Sequence, residues 1–289
     1  QRIALCVASD RLSRSKRRKV EDSRLIARFA SLIHEEDAMN EEDLKREAPQ
    51  NVVEGDLALA AHQKEGVAFL LKRAVDGRGA MLAFTMGLGK TLTTIAFFAS
   101  LMQEFTQARR RHAGQLRAVV LCPVSVSDNW KKEYTRYVES DLTPELPLEG
   151  CTIVDDKKTM LSALPRWQAE GGVAVLTYDT LKAAAKWPEV QELLASLYDT
   201  AEVVALDEMH ELKNSDTRKT KAVARFKTPL RVGLTGTPLA NSPNELYSVA
   251  ELLEPGLLRL DAKQYKKTFT DPIMLGLLGD ATEEQKRKG

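Results

Sequence analysis

The sequence predicts an α/β fold: a doubly wound parallel sheet with helices on both faces, preceded by a helical N-terminal extension. Three observations carry that prediction. Short apolar runs rich in Val, Leu and Ile recur with little polar alternation, as strands buried on both faces of a parallel sheet do. Stretches of helical length separate them, which is the pattern of βαβ units with right-handed crossovers. The first of these runs leads directly into a glycine-rich turn and then another helical stretch.

Residues 1–55 differ in character from the remainder of the chain. A basic cluster (Arg11, Arg14, Lys16, Arg17, Arg18, Lys19) gives way to an acidic one (Glu35, Glu36, Asp37, Glu41, Glu42, Asp43). Between them Leu25, Ile26, Phe29, Leu32 and Ile33 recur at helical spacing, so this segment is expected to form a charged helical extension. The basic cluster is either a solvated charged face or an import signal or phosphate-binding patch. From residue 56 to 289 the strand candidates are 80–84, 118–122, 151–154, 173–176, 203–206 and 231–234. Helices are predicted over 91–104, 127–138, 187–197, 217–226 and 244–253.

Composition excludes several classes. A chain of 289 residues with 43% hydrophobic and 29% charged residues has the make-up of a globular protein able to bury a core. Its net charge of +1 argues neither for nor against nucleic acid. Cys6, Cys122 and Cys151 are far apart and contain no CxxC pair, which speaks against a disulfide framework or a zinc site and for a reducing compartment. The four histidines, His34, His62, His112 and His210, are equally scattered. No apolar stretch approaches the ~18–20 residues of a membrane span, so no membrane association is expected. The chain begins with Gln rather than Met, and we expect it to be a piece of a longer protein. Aromatic content is 6% and no basic-aromatic interleaving is visible, so sequence-specific nucleic-acid readout is not expected.

Two segments carry chemistry. After the strand candidate at 80–84 comes Thr85-Met86-Gly87-Leu88-Gly89-Lys90-Thr91 and then an apolar helix. Strand, glycine-rich turn and helix together cradle a polyphosphate, because backbone N–H groups close on the phosphates and the helix N-terminus points its partial positive charge at them. In that reading Lys90 pairs with the β and γ phosphates and the Thr91 hydroxyl takes magnesium. The full pattern GxxxxGK followed by Ser or Thr asks for Gly where this chain has Phe84. The second segment is the strand candidate at 203–206 running into Asp207-Glu208-Met209-His210. Paired carboxylates at the carboxyl edge of a parallel sheet suit a magnesium ligand, Asp207, and a base that orients and deprotonates water, Glu208. Seen alone, the pair would read as a solvated Asp-Glu turn.

Together with their surroundings, these segments resemble the Swi/Snf-type ATPases of helicase superfamily 2, over residues 56 to 289. Leu59-Ala-Ala-His62-Gln63-Lys-Glu-Gly66 is similar to the family's adenine-reading segment, with Gln63 as the base-binding position. Met86-Gly-Leu-Gly-Lys-Thr91 is similar to its phosphate loop, so Met86, Gly87, Leu88, Gly89, Lys90 and Thr91 are the expected ATP-binding residues. Val120-Leu-Cys-Pro123 with Asn129-Trp130-Lys-Lys-Glu133, and Val175-Leu-Thr-Tyr178-Asp-Thr-Leu181, resemble two DNA-side motifs. Asp207-Glu-Met-His210 with Leu212-Lys-Asn214 resembles the acidic box and its tail, and Leu234-Thr-Gly-Thr-Pro-Leu-Ala-Asn241 the coupling motif. Asp271-Pro-Ile273 resembles the segment that closes the first lobe.

The resemblance implies a RecA-like P-loop fold and a lobe that binds ATP and Mg2+, with catalytic positions Lys90, Asp207 and Glu208 and metal ligands Thr91 and Asp207. It also implies coupling positions His210, Thr235, Gly236 and Thr237, and candidate DNA-backbone contacts at Lys213 and Asn214. The implied partners are double-stranded DNA, nucleosomes among its forms, and a second RecA-like lobe of the same parent protein; the implied location is the nucleus. Only about 50 residues come after the coupling motif, too few for another lobe. This lobe alone is therefore expected to bind ATP–Mg weakly and to hydrolyse it poorly.

The family has Asp-Glu where this chain has Phe84-Thr85, and a small residue at Met209. The ATRX-like branch also lacks that acidic pair. These departures keep a second reading open: a catalytically degenerate lobe acting as a chromatin scaffold. Several positions have local alternatives: Gln63 as a surface residue on a helix, His210 as a buried hydrogen-bonding His, Trp130 as core packing, Thr235 and Thr237 as turn hydroxyls, and Lys213 and Asn214 as local caps.

Overall fold

The computed structural model describes residues 59–109, 116–138, 151–236 and 243–276. The expected helix around 25–33, the boundary at 56 and Thr237 lie outside the described residues.

All six strand candidates form strands: β1 (Ala80–Ala83), β2 (Arg117–Cys122), β3 (Cys151–Val154), β4 (Gly172–Thr177), β5 (Val203–Leu206) and β6 (Arg231–Thr235). They make one sheet in the order β1-β6-β5-β2-β4-β3, and every neighbouring pair is parallel. Successive side chains of a strand point to opposite faces, and here both faces are covered. In β2, Ala118, Val120 and Cys122 join a core with Phe97, Phe98 and Trp130, whereas Val119 and Leu121 join one with Trp167, Leu194 and Leu197. Both sets must be apolar, which is why no alternation shows in the sequence.

One face carries α1 (Ala61–Val75), α2 (Lys90–Arg109) and α3 (Val124–Val138). The other carries α4 (Lys157–Glu170), α5 (Tyr178–Ala184), α6 (Gln191–Thr200), α7 (Arg218–Val223) and α8 (Pro243–Leu253). Helix α2 buries Ile95 to Ala99 without a polar break, since it lies between the sheet and α1 and Ala96 packs on Leu59 and Val67. A short 3₁₀ turn (Pro188–Val190) opens the helix expected at 187–197, because Pro188 presets the first turn but donates no N–H. Sequence reading did not anticipate α1, α4 or α5. Pro165 inside α4 masked its signal, although Asp156 caps it by accepting the Thr159 N–H at 2.7 Å. After α8, α9 (Ala262–Tyr265), a π turn (Lys266–Thr270) and α10 (Asp271–Gly276) run on continuously, with Asp271-Pro-Ile273 in the last.

Arg231 starts β6 while 6% exposed, and its guanidinium donates to the carbonyls of Thr228, Phe226 and Leu252, the Leu252 contact being 2.7 Å. The guanidinium fork thus ties the end of α8 to the sheet. Beside it the backbone of Gly79 passes so close to α8 that a Cβ there would sit 2.3 Å from the Leu253 carbonyl oxygen. Gly79→Ala is therefore expected to destabilise the chain by ~1–3 kcal/mol, read as a lower urea midpoint at unchanged slope.

Candidate active site

The strand order decides which loops meet. Because β1, β6 and β5 are adjacent and parallel, their carboxyl ends bring together the turn after Ala83, Gly236 after Thr235, and Asp207 after Leu206. Clefts at such carboxyl edges are the usual ligand sites of open α/β sheets.

The glycine-rich turn takes the conformation its glycines permit. Gly87 (φ 83) and Gly89 (φ 74) are in the left-handed region, where a side chain would be strained. Helix α2 begins at Lys90, so the orphan N–H groups of its first turn open onto this loop. The Thr93 and Thr94 hydroxyls bond back to Gly89 and Lys90 carbonyls at 3.0 and 2.9 Å. The half-buried Thr91 hydroxyl has no partner among the described residues. The Lys90 ammonium lies 3.5 Å from the Phe84 carbonyl, and a Cβ on Gly236 would be 3.6 Å from the same nitrogen. Met86 is 83% exposed at the tip of the turn.

The first turn of α1 buttresses this loop. Gln63 is buried rather than at the surface; its Oε1 accepts the Ala60 N–H at 2.8 Å, and its Nε2 donates to the Gly89 and Leu88 carbonyls at 3.4 and 3.5 Å. His62 Nε2 lies 3.1 Å from the Leu88 carbonyl. Phe84 is buried edge-on to the His62 ring, 5.4 Å between centroids, and its ring reaches the space left by Gly66, where a Cβ would be 3.0 Å away. The unexpected phenylalanine is thus a core residue under α1.

Asp207 is 5% exposed. Its N–H continues the β5 ladder to the Leu121 carbonyl at 2.8 Å. Its Oδ1 accepts the Glu208 N–H at 2.9 Å and its Oδ2 accepts the Trp130 indole N–H at 2.8 Å. The Tyr178 hydroxyl donates to the Asp207 carbonyl at 2.8 Å. Burial raises the Asp207 pKa above the ordinary 3.8; the indole and amide donors, and then Lys90, pull the other way. Glu208 has left-handed backbone (φ 46, ψ 51), a conformation costing a non-glycine residue ~1–3 kcal/mol. Its carboxylate lies 3.2 Å from Nδ1 of His210, which is exposed, not buried.

Met209 is buried and its sulfur occupies the room Gly233 leaves, where a Cβ would be 2.3 Å away. Thr235 is buried at the end of β6. Lys213 pairs with Glu245 of α8 at 3.0 Å, and the Asn214 side chain closes an Asx turn on the Asp216 N–H at 2.9 Å. Both expected DNA contacts are therefore engaged locally in this structure.

Hydroxyl and carboxylate oxygens are the donors a hard dication such as magnesium prefers. The Thr91 hydroxyl, without a partner among the described residues, and the buried, charge-disfavoured Asp207 carboxylate suit it. Sequence reading missed Trp130 as a partner of the acidic box and missed Tyr178 altogether as a donor. Sequence distances of 77 and 29 residues separate them from Asp207, so no local spacing signals either bond.

The model of the SNF2-related domain matches residues 62–289. The chain is 31% identical to a transcriptional regulator ATRX homolog of Drosophila melanogaster, over 94% of this chain and 22% of that protein. It is 33% identical to the DNA repair protein rhp54 of Schizosaccharomyces pombe, over 80% of this chain and 27% of that protein. Among solved structures, the Sulfolobus solfataricus SWI2/SNF2 ATPase core in complex with dsDNA is similar with a TM-score of 0.58 and 28% identity, covering 83% of this chain and 44% of that one. The shared architecture is the RecA-like fold.

The raised Asp207 pKa fixes a sign. Its proton favours the nucleotide-free fold below 3.8, and that contribution is lost as pH rises through the higher folded value. Metal binding needs the carboxylate. Magnesium-dependent nucleotide binding should therefore weaken on acidification at a pH above 3.8, while binding of metal-free nucleotide does not track it; calorimetric titration across a pH series measures both.

Proposed function

This chain belongs to the SNF2-related family as a first RecA-like lobe, and on that premise we propose that it is the ATP-binding half of a double-stranded-DNA-stimulated ATPase that translocates along DNA. The observation that carries the proposal is the meeting of Lys90, at the end of the turn that follows β1, with Asp207 and Glu208, which follow β5, across the end of the intervening β6, where Gly236 comes next. The chain spans less than a third of the Drosophila and Schizosaccharomyces relatives, so the second lobe belongs to the proposal too. Residues 56–289 are the lobe and 1–55 its charged extension.

In this proposal the N–H groups of residues 86–91 and the Lys90 ammonium bind the β and γ phosphates. Gln63, which already holds the loop carbonyls, is the adenine-binding position in this reading. Thr91 and Asp207 would hold magnesium, which would neutralise charge developing on the phosphates. Glu208 orients the attacking water and accepts its proton, and His210 beside it leads from the base to the exposed rim. Thr235, Gly236 and Thr237 sense the phosphate end and pass its state to lobe movement. The second lobe supplies arginine, worth ~10³–10⁵ in rate in other P-loop enzymes.

DNA binding in this proposal runs through phosphates, so it is insensitive to sequence and weakens with salt. For Lys213 to contact a phosphate it must exchange Glu245 for it. The relatives' names, DNA repair protein and transcriptional regulator, and the solved complex with dsDNA support DNA as the partner and the nucleus as the location; nucleosomal DNA is a form the proposal adds. Of the features that favoured a degenerate scaffold, Phe84, Thr85 and Met209, the two bulky ones, Phe84 and Met209, pack against Gly66 and Gly233, which favours the enzymatic reading.

Lys90→Ala should weaken nucleotide binding by at least ~100-fold, about 3 kcal/mol, in calorimetry. In the two-lobed parent, Glu208→Gln should keep nucleotide affinity and lower phosphate release ~10²–10⁴-fold. Phosphate release by that parent should rise strongly with duplex DNA; no release with or without duplex, from a folded protein, would instead favour a scaffold.

A further inference from the structure

We infer that Trp130 and Tyr178 are positioning residues for the hydrolytic centre: Trp130 aims the Asp207 carboxylate, and Tyr178 fixes the peptide that carries Glu208. The inference rests on the ATPase reading and names how that same site is held.

Rotation of an aspartate carboxylate about Cβ–Cγ has a broad, shallow profile, so the side chain does not orient itself. In Asp207 each oxygen meets a fixed donor: the Glu208 amide on Oδ1 and the Trp130 indole on Oδ2. The indole is 1% exposed and packed in the core between α3 and the sheet, so its N–H direction is set by that core. Each oxygen keeps acceptor capacity for a metal.

Tyr178 acts from the opposite face of the sheet, in the core that contains Trp167 and Leu194. Its hydroxyl donates to the Asp207 carbonyl, and the N–H of the same peptide unit donates to Asp207 Oδ1. Both ends of the Asp207–Glu208 peptide are therefore held. Glu208 comes next in its left-handed conformation, which persists only where its surroundings fix it. Packing alone needs neither polar atom, since Phe fills most of the volume of either side chain.

The two roles have separable signatures. Outer-shell groups of metal sites are typically worth ~10–100-fold in metal affinity or activity. Benzothienylalanine keeps the shape of tryptophan but has sulfur in place of N–H. Placed at Trp130 in this chain, it should raise the magnesium concentration for half-maximal ATP binding ~10–100-fold, with affinity for metal-free ATP unchanged in calorimetry. Tyr178→Phe should leave that magnesium requirement alone and lower kcat of the two-lobed parent ~10-fold or more at constant KM.

Matched controls remove equivalent bonds elsewhere. Trp167, 1% exposed, donates its indole N–H to the Gly172 carbonyl at 3.1 Å, and the Tyr247 hydroxyl donates to the Leu260 carbonyl at 3.0 Å. Benzothienylalanine at Trp167 and Tyr247→Phe should lower the melting temperature without moving magnesium dependence or kcat. An unchanged magnesium requirement in the Trp130 variant, or an equal shift in the Trp167 control, overturns the role of Trp130. An unchanged kcat in Tyr178→Phe overturns that of Tyr178. Normal magnesium and ATP binding by the unaltered chain alongside either result leaves the ATPase reading standing; no binding by the unaltered chain overturns both.

Discussion

Burying the Asp207 carboxylate at the carboxyl end of β5 disfavours its charged form, and much of the surrounding architecture answers that constraint. Its N–H extends the ladder to β2, its carbonyl takes the Tyr178 hydroxyl, and its two oxygens take an amide and an indole N–H. Each donor comes from a different part of the chain, so the position of this one residue depends on the cores of both sheet faces being formed. The ammonium that pulls its pKa down, that of Lys90, reaches it because β1 and β5 flank β6. A dication brought by nucleotide would supply the positive charge that the polypeptide provides only in part.

The departures from the family's motifs obey the same packing logic. A phenylalanine before the glycine-rich turn would be an intrusion on a solvated loop, but here its ring lies under α1 against His62 and Gly66. A methionine in the acidic box needs volume, and β6 has no side chain at Gly233, the residue paired in register with Leu206. In both places a bulky residue on one element meets a glycine on another. The chemistry-bearing side chains next to them, Lys90, Asp207 and Glu208, keep their places.

Helix α1 and the tail of the acidic box are each tied to their surroundings by side-chain bonds. Gln63 closes its own helix with Oε1 and donates to the loop carbonyls with Nε2, so one side chain joins helix and loop. Lys213 and Glu245 join the acidic-box tail to α8, the helix after the coupling motif. Such links tie the glycine-rich loop and the acidic-box tail to neighbouring helices.

The six strands, most of the helices that separate them, and the loop and box that carry the chemistry are all legible in the amino-acid order. Each is a local signal: an apolar run of strand length, a Gly-Leu-Gly-Lys-Thr turn, a carboxylate pair after Val203-Val-Ala-Leu206. Helix α4 was illegible because Pro165 interrupts a pattern that only packing of Met160, Leu164 and Trp167 sustains. Packing in three dimensions settled that Trp130 and Tyr178 grip Asp207, that Gln63 is buried against the loop, that His210 is exposed, and that Lys213 and Asn214 have local partners. One cause is common to all four. Hydrogen bonds and burial depend on where the sheet order and the packed faces bring distant residues. A bond spanning 77 residues leaves no trace in the composition or period of either segment it joins.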